Sequence, residues 1–279
     1  MTGATPNLQA WIGRCRDEVA TAAVEPLRAL NALLDTDRDL SPGAPLPPAW
    51  HWMYFVPSVR QSLLNTDGHP LDEEFMPRLA GTRRMWAGSR LHFRGHISIG
   101  EKLKRHSEIV SIASKTGRSG AFTLVALRHL VTGDTGEIDE RQDLVFRSPT
   151  HSVASEADAA GLTDEERIWD ERRLQPDPAL LFRFSAVTFN AHRIHYDLPY
   201  ARSEGYPSLV VQGPLMALLM LDQLYRTDAA APIGGFNFRA RQPAFVSDEL
   251  LIQKSPAGSG FLLRVTTPRG VASEMEVVV

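Results

Sequence analysis

The sequence predicts an α+β protein of two strand-rich halves, each an antiparallel sheet with a helix laid against it. Three observations carry that prediction. From Arg83 to Phe146 the chain reads as strands separated by glycine-rich turns. The same order of strand signals returns in the C-terminal part. One helix, opening at Gly213-Pro214, is apolar nearly all round for its first two turns, which places it inside the protein.

The chain has 279 residues, enough for one large domain or two small ones. Hydrophobic residues make up 43% and charged residues 23%, the balance of a soluble globular protein. A net charge of −3 gives no general pull toward nucleic acid. Arginines are frequent between Arg83 and Arg147, as a local basic rim or an ordinary solvated strand face. The single cysteine, Cys15, excludes an intramolecular disulfide and fits a reducing cytosol. No apolar run approaches the ~18–20 residues of a membrane span. The N-terminus lacks the pattern of a signal peptide. A cytoplasmic enzyme is predicted, with no nucleic-acid or membrane partner.

Leu8, Trp11, Ile12, Cys15 and Val19 recur at three- and four-residue spacing, so Asn7 to Leu34 is predicted helical, kinked or restarted at Pro26. Ser41 to Pro48 is proline-rich and extended. Trp50 to Phe55 has strand propensity and an aromatic side-chain set suited to a core. A loop carrying Asp67-Gly68-His69-Pro70 follows, and no chemistry is assigned to it. Strands are predicted at Met85–Phe93, Leu103–Lys115, Ala121–Val131 and Glu137–Phe146. Ser148 to Pro178 is polar and proline-containing, a crossover linker with one short helix near Asp164 to Arg172.

The repeat is visible in two places. Phe93-Arg94 followed by Gly100-Glu101-Lys102-Leu103 matches Phe238-Arg239 followed by Ser247-Asp248-Glu249-Leu250. Ser119-Gly120-Ala121-Phe122-Thr123-Leu124 is echoed by Ser259-Gly260-Phe261-Leu262-Leu263. The halves are unequal, because nothing in the first matches the buried helix at Pro214. Val59 to Leu64 is the nearest stretch, and it is short.

The polar cluster Asn190, His192, Arg193, His195, Tyr196 and Asp197 comes just before that helix. A helix N-terminus presents free N–H groups and the positive end of a dipole. Histidines beside it can move a proton next to a developing oxyanion. No metal-ligand spacing is present: His192 and His195 lie three apart, with no third ligand or cysteine nearby.

The string from Phe184 to Asp197, F-S-A-V-T-F-N-A-H-R-I-H-Y-D, followed by G-Y-P-S-L-V-V-Q-G-P-L, resembles the R-specific enoyl-thioester hydratases of the MaoC-like hot-dog superfamily. Within it the likeness is greatest to mesaconyl-C4-CoA and itaconyl-CoA hydratases and to type 2 hydroxyacyl-thioester dehydratases. The resemblance covers most of the chain after about residue 45 and implies a double hot-dog fold. Residues 1–147 would form a non-catalytic half with a reduced helix, 148–178 a linker, and 179–279 the catalytic half. The implied reaction is reversible hydration of an α,β-unsaturated acyl-CoA, a short branched dicarboxylyl-CoA such as mesaconyl- or itaconyl-CoA giving citramalyl-CoA. A type 2 3-hydroxyacyl-thioester dehydratase on CoA or acyl-carrier protein is the alternative. A hot-dog thioesterase and a non-catalytic acyl-thioester binding module are further ones. No cofactor is implied, since the CoA thioester is the substrate, and a monomer or homodimer is expected.

The broad family places an aspartate five residues before a histidine. Here the matching pair is Asn190 and His195, so the carboxylate is replaced by its amide. His195 is expected to transfer the proton, with Asn190 orienting the water and the Gly213 N–H receiving the thioester oxygen. His192 is the rival base or a structural hydrogen-bonding residue. Tyr196 and Asp197 support the pair, or Asp197 opens the following turn. Gln212 and Arg193 are the expected substrate-binding residues. Arg193 would meet a free carboxylate, or form a surface ion pair.

Overall fold

The computed structural model describes residues 7–71, 74–79, 81–117, 120–148, 170–228 and 232–279. Among the described residues, ten strands form one antiparallel sheet: β1 (Cys15–Thr21), β2 (Arg83–Gly95), β3 (Lys102–Gly117), β4 (Gly120–Thr132), β5 (Gly136–Arg147), β6 (Asp170–Leu174), β7 (Gly235–Ala240), β8 (Leu250–Ala257), β9 (Gly260–Thr267) and β10 (Gly270–Val278). Their order is β1-β3-β4-β5-β2-β7-β10-β9-β8-β6. Adding five to each strand number between β1 and β5 gives the mirrored strand of the second half. The halves therefore share one topology and join at β2 and β7, where Gly88 faces Arg239 and Leu91 faces Phe236. This is a double hot dog. The echoed residues fall on corresponding strands, Phe93 with Phe238, Leu103 with Leu250, and Gly120 with Gly260.

In the second half, α2 (Pro178–Val187), α3 (Leu198–Ser203) and α4 (Gly213–Thr227) lie between β6 and β7. The corresponding place in the first half holds α1 (Val24–Leu33) and a long irregular stretch. Helix α4 packs on β8, β9 and β10 and also reaches β2. Ten of its residues are buried. Burying one Leu or Met side chain stabilises by roughly 1.5–3 kcal/mol, so this helix anchors the core. Helix α1 buries Leu27, Leu30 and Leu33 and packs on α2 and on a turn at Trp50. The N-terminal helix is thus reduced, and it lies earlier in the chain than Val59–Leu64. That stretch forms only an exposed 3₁₀ turn at Gln61–Leu63.

Three other local expectations change. Asn7–Leu34 is a 3₁₀ turn at Leu8–Trp11, then β1, then α1. β1 is an edge strand paired with β3 from Cys15↔Glu108 to Thr21↔Lys102. Cys15 and Val19 share a face in a strand as they would in a helix, because a spacing of four is even. That face points outward, and Val19 is 79% exposed. Pro26 sits in the first turn of α1, where its missing N–H costs nothing.

Trp50–Met53 is a 3₁₀ turn rather than a strand, although Trp50, Met53 and Tyr54 are core residues as their type suggests. Within Ser148–Pro178, residues 149–169 lie outside the described residues. Residues 170–172, expected to end a helix, instead begin β6, which pairs with β8. The supposed linker therefore contributes a strand to the sheet.

The frequent arginines are laced to acids. Arg83 pairs with Glu204, Arg94 with Glu137, Arg105 with Glu18, Arg128 with Asp139 and Arg141 with Asp143. They make a solvated strand face more than a free basic rim. Among the described residues, no helix is long and apolar enough to cross a membrane.

Candidate active site

Helix α2 ends at Val187, and Phe189 turns the chain in the left-handed region at φ 49°. Asn190 follows. Its Oδ1 accepts the His192 backbone N–H at 3.0 Å, an Asx turn that shapes the loop. The acceptor expected to hold a water is therefore engaged by the backbone. Arg193–His195 form a 3₁₀ turn. His195 is 7% exposed, and its Nδ1 lies 2.7 Å from the Val210 carbonyl. A carbonyl only accepts, so Nδ1 carries the hydrogen and Nε2 keeps its lone pair. Ile194 and Val210 are also joined, N–H of 210 to O of 194, at 3.0 Å. The ring is thereby fixed beside the strand-like residues that lead directly into α4.

Gly213 is the first residue of α4, and its N–H meets no acceptor among the described residues. A Cβ at this position would stand 2.7 Å from Cε3 of Trp86, from β2. Glycine is needed here because Trp86 crosses the helix start. Trp86 in turn stacks on Phe238 at 4.6 Å and meets the edge of Trp52. Gln212, 1% exposed, donates to Leu181 O at 2.9 Å and to Ser185 Oγ at 3.1 Å, tying α4 to α2. Its Oε1 is buried without a partner.

The remaining predicted residues face other tasks. The Arg193 guanidinium binds Asp197 Oδ2 at 3.0 and 2.7 Å and donates to Thr66 O at 3.0 Å. It also lies over the Tyr200 ring. Asp197 caps α3 by accepting the Tyr200 N–H at 3.0 Å, so it does open the following helix. Tyr196 is 49% exposed and donates to Ala191 O at 3.1 Å.

The structure adds a group that lies outside this motif. Asp67 and His69, on a loop of the first half, pack against it. Asp67 O accepts the Arg193 N–H at 2.9 Å. The His69 ring lies 4.1 Å from that of His192, which lies 5.3 Å from that of His195. His69 Nδ1 donates to Asp67 Oδ2 at 3.0 Å. Donor atoms of Asp67, His69 and His192 lie within 4.8 Å of one another. That spacing is one a divalent cation accepts, although His69 Nδ1 and Asp67 Oδ2 are already bonded to each other. The sequence signal was present as Asp67-Gly68-His69-Pro70, more than 120 residues away in the chain.

Electrostatics follow from burial. Burial lowers the His195 pKa to about 4; the Val210 bond opposes this and nearby His69 adds to it. His192 is lowered by burial and by both neighbouring histidines. Burial also lowers His69, the Asp67 bond opposes that, and Arg84 adds to it. Burial raises Asp67, but its bonds to His69 override this and leave it lowered and ionised. His195 is therefore neutral at pH 7, the state a base requires.

Gly68 makes the contact between the halves possible. It has φ +90°, and a Cβ there would stand 1.8 Å from Ala191 O. Gly68→Ala is expected to lower the melting temperature, since backbone strain alone costs about 1–3 kcal/mol before the clash is counted. An unchanged thermal melt would show that the loop moves freely.

These groups suit the addition and removal of water across the α,β-bond of an acyl thioester, the work of a hot-dog hydro-lyase. The chain belongs to the hydroxyacyl-thioester dehydratase type 2 family, whose model matches residues 49–246. It is 39% identical to the mesaconyl-C(4)-CoA hydratase of Chloroflexus aurantiacus, over 95% of this chain and 94% of that one. It is 27% identical to the mitochondrial hydroxyacyl-thioester dehydratase type 2 of Schizosaccharomyces pombe, over 80% of this chain and 82% of that one. A solved MaoC-like dehydratase has the same fold, with a TM-score of 0.72 at 15% identity, covering 97% and 99% of the two chains.

Proposed function

We propose that the chain reversibly hydrates an α,β-unsaturated acyl-CoA, with mesaconyl-CoA as the first substrate to try. The observation that carries this reading is His195, with its tautomer fixed and Nε2 bare, held just before the open N-terminus of α4. Nε2 takes a proton from water as the oxygen bonds to the β-carbon. The thioester oxygen gains enolate character and lies against the Gly213 N–H. One site per chain is formed at α4, because the first half has only the shorter α1 in the corresponding place and no match to the Asn190–His195 motif. The similarity to the Chloroflexus enzyme supports the dicarboxylyl substrate. The family and the fission-yeast relative support the second reading, dehydration of a 3-hydroxyacyl thioester on CoA or acyl-carrier protein. A thioesterase is disfavoured. The carboxylate on α4, Asp222, is 1% exposed and held by Arg38, Arg172 and Arg226 at 3.1, 3.2 and 2.6 Å. A reducing compartment such as the cytosol suits an exposed, unpaired Cys15.

The cation proposed for a second substrate carboxylate is Arg84. Arg84 lies two residues before Trp86 on β2, on the same face of the strand, and within electrostatic range of His69 and His192. Loss of enoyl-thioester absorbance should be measured on crotonyl-, mesaconyl- and itaconyl-CoA. Arg84→Ala is expected to raise KM for the two dicarboxylyl substrates by ~10-fold, the value of one charge-assisted hydrogen bond, and to leave crotonyl-CoA nearly unchanged. Equal losses on all three would remove Arg84 from substrate selection. Release of free thiol without loss of the enoyl signal would replace the hydro-lyase by a thioesterase.

A further inference from the structure

Hydration moves two protons, one from water and one onto the α-carbon. Asn190 cannot titrate, and its Oδ1 is taken by the His192 N–H. The one carboxylate of the motif, Asp197, is held by Arg193 and by the Tyr200 N–H, so the motif on the second half supplies none to pair with a histidine. The structure brings one from the other half. Asp67 Oδ2 accepts from His69 Nδ1 at 3.0 Å, and Asp67 Oδ1 accepts the His69 backbone N–H at 2.9 Å. With Nδ1 bonded to the carboxylate, the His69 Nε2 is the atom left to exchange a proton. Arg193 clamps this loop onto the motif through Asp67 O and Thr66 O. His69 and Asp67 retain 21% and 17% side-chain exposure, so the pair is reachable, unlike the buried His51. Of the histidines in the row, His69 is the one hydrogen-bonded to a carboxylate, whereas His195 has a carbonyl. Burial disfavours the His69 imidazolium, and the Asp67 carboxylate opposes this, so of the three rings His69 is the one whose cation has a counter-charge beside it.

We propose that His69, held by Asp67, is the second catalytic residue of this site and exchanges the proton at the α-carbon. The role rests on the hydro-lyase reading above. In hydration, His195 Nε2 takes a proton from water while the water oxygen bonds to the β-carbon. The π pair moves toward the thioester oxygen. The α-carbon then takes the proton from Nε2 of the His69 imidazolium, leaving neutral His69 beside ionised Asp67. One proton has passed from His69 to the product and one from water to His195, and solvent exchange resets both rings. Dehydration is the reverse, with His69 removing the α-proton and His195 protonating the departing hydroxyl. Asp67 is a positioning residue: it fixes the His69 tautomer and stabilises the imidazolium, as the buried aspartate does in a serine-protease triad. The charged and titratable groups facing His69 are Asp67 on its own loop, Arg84 on β2, and His192 with His195 beyond it on the motif.

The test compares the wild-type chain with His69→Gln and Asp67→Asn. Hydration of crotonyl- and mesaconyl-CoA is followed across pH, together with exchange of the product's α-hydrogen in D₂O. His69→Gln is expected to lose ~10²-fold or more in kcat and in α-exchange, with KM little changed. Asp67→Asn is expected to retain partial activity. Its basic limb should move to lower pH, because removing the carboxylate lowers the His69 pKa and the required proton is lost sooner. Thermal melts of both variants separate this from misfolding. A wild-type rate in His69→Gln overturns the role, as does an unmoved pH limb in Asp67→Asn. Inactivation of the wild type by EDTA with recovery on zinc would make the cluster a metal site and also overturn it. A wild-type chain that hydrates none of these thioesters overturns the reaction and this role together. A fast wild type with a fast His69→Gln overturns this role alone.

Discussion

His195→Ala is expected to lower kcat by ~10²–10⁴-fold, the range of general acid–base catalysis, while KM changes little. In the proposed site the thioester oxygen is received by the Gly213 N–H, which this variant keeps, so binding is expected to survive and proton transfer is not. Steady-state hydration of an enoyl-CoA reads both constants. Near-full activity in His195→Ala with a dead His192→Ala would exchange the roles of the two rings. Asn190→Asp probes the same site from the other side. A carboxylate keeps the Asx turn, because either side chain accepts the His192 N–H. It also brings a negative charge toward rings that burial has pushed down, His195 to about 4. Their pKa values rise, and the acid limb of kcat/KM moves to higher pH.

Glu140→Ala is expected to cost about 3–5 kcal/mol, the range seen when one member of a buried charged network is removed. Glu140 on β5 is 2% exposed. It accepts hydrogen bonds from His51 Nε2 at 3.0 Å, Trp52 Nε1 at 3.1 Å, Ser89 Oγ at 2.6 Å and Gln142 Nε2 at 2.9 Å. All four donors would lose this carboxylate, and among the described residues only Ser89 Oγ has a second acceptor, Arg141 O at 3.3 Å. At roughly 2–4 °C per kcal/mol for a chain of this size, the melting temperature falls by about 6–20 °C. Burial pushes the Glu140 pKa up, but the bond and charge of His51, with His129 and Ser89, hold it at about 2. Its stabilisation is thus complete above the unfolded carboxylate value near 4.5 and is lost as pH falls toward 2. The gap between wild type and variant should narrow in that window, as denaturant melts at pH 7 and pH 3 would show. His129 and His195 act in the opposite pH sense to a paired histidine. Both are depressed to about 4, so the unfolded chain gains their protons first and stability declines as pH falls from about 6.5.

The strands of the first half were legible because glycine-rich turns at 116–120 and 133–136 bound runs of strand-forming residues. The first thirty residues were not, since Trp11, Cys15 and Val19 satisfy a four-residue spacing on either a helix or a strand. Trp50 to Phe55 shows a related ambiguity: bulky aromatics fill a core from a 3₁₀ turn as well as from a strand. The motif from Asn190 to Gly213 was visible because one short stretch places its residues together. Arg193 was harder. Its partner Asp197, four residues on, was in view, but the Thr66 carbonyl it also binds was not. Asp67, His69 and Trp86 come from the other half, and local pattern says nothing about what two halves press together.

The seam between β2 and β7 has a consequence for evolution as well as for shape. When two identical subunits pair edge to edge, every change appears twice, and a helix lost from one is lost from both. Here the partners are one polypeptide, so each half was free to change alone. The second half carries the long α4, and the first carries the shorter α1 and a loop bearing Asp67, Gly68 and His69. Because the seam is intramolecular, dilution cannot separate that loop from the helix it serves.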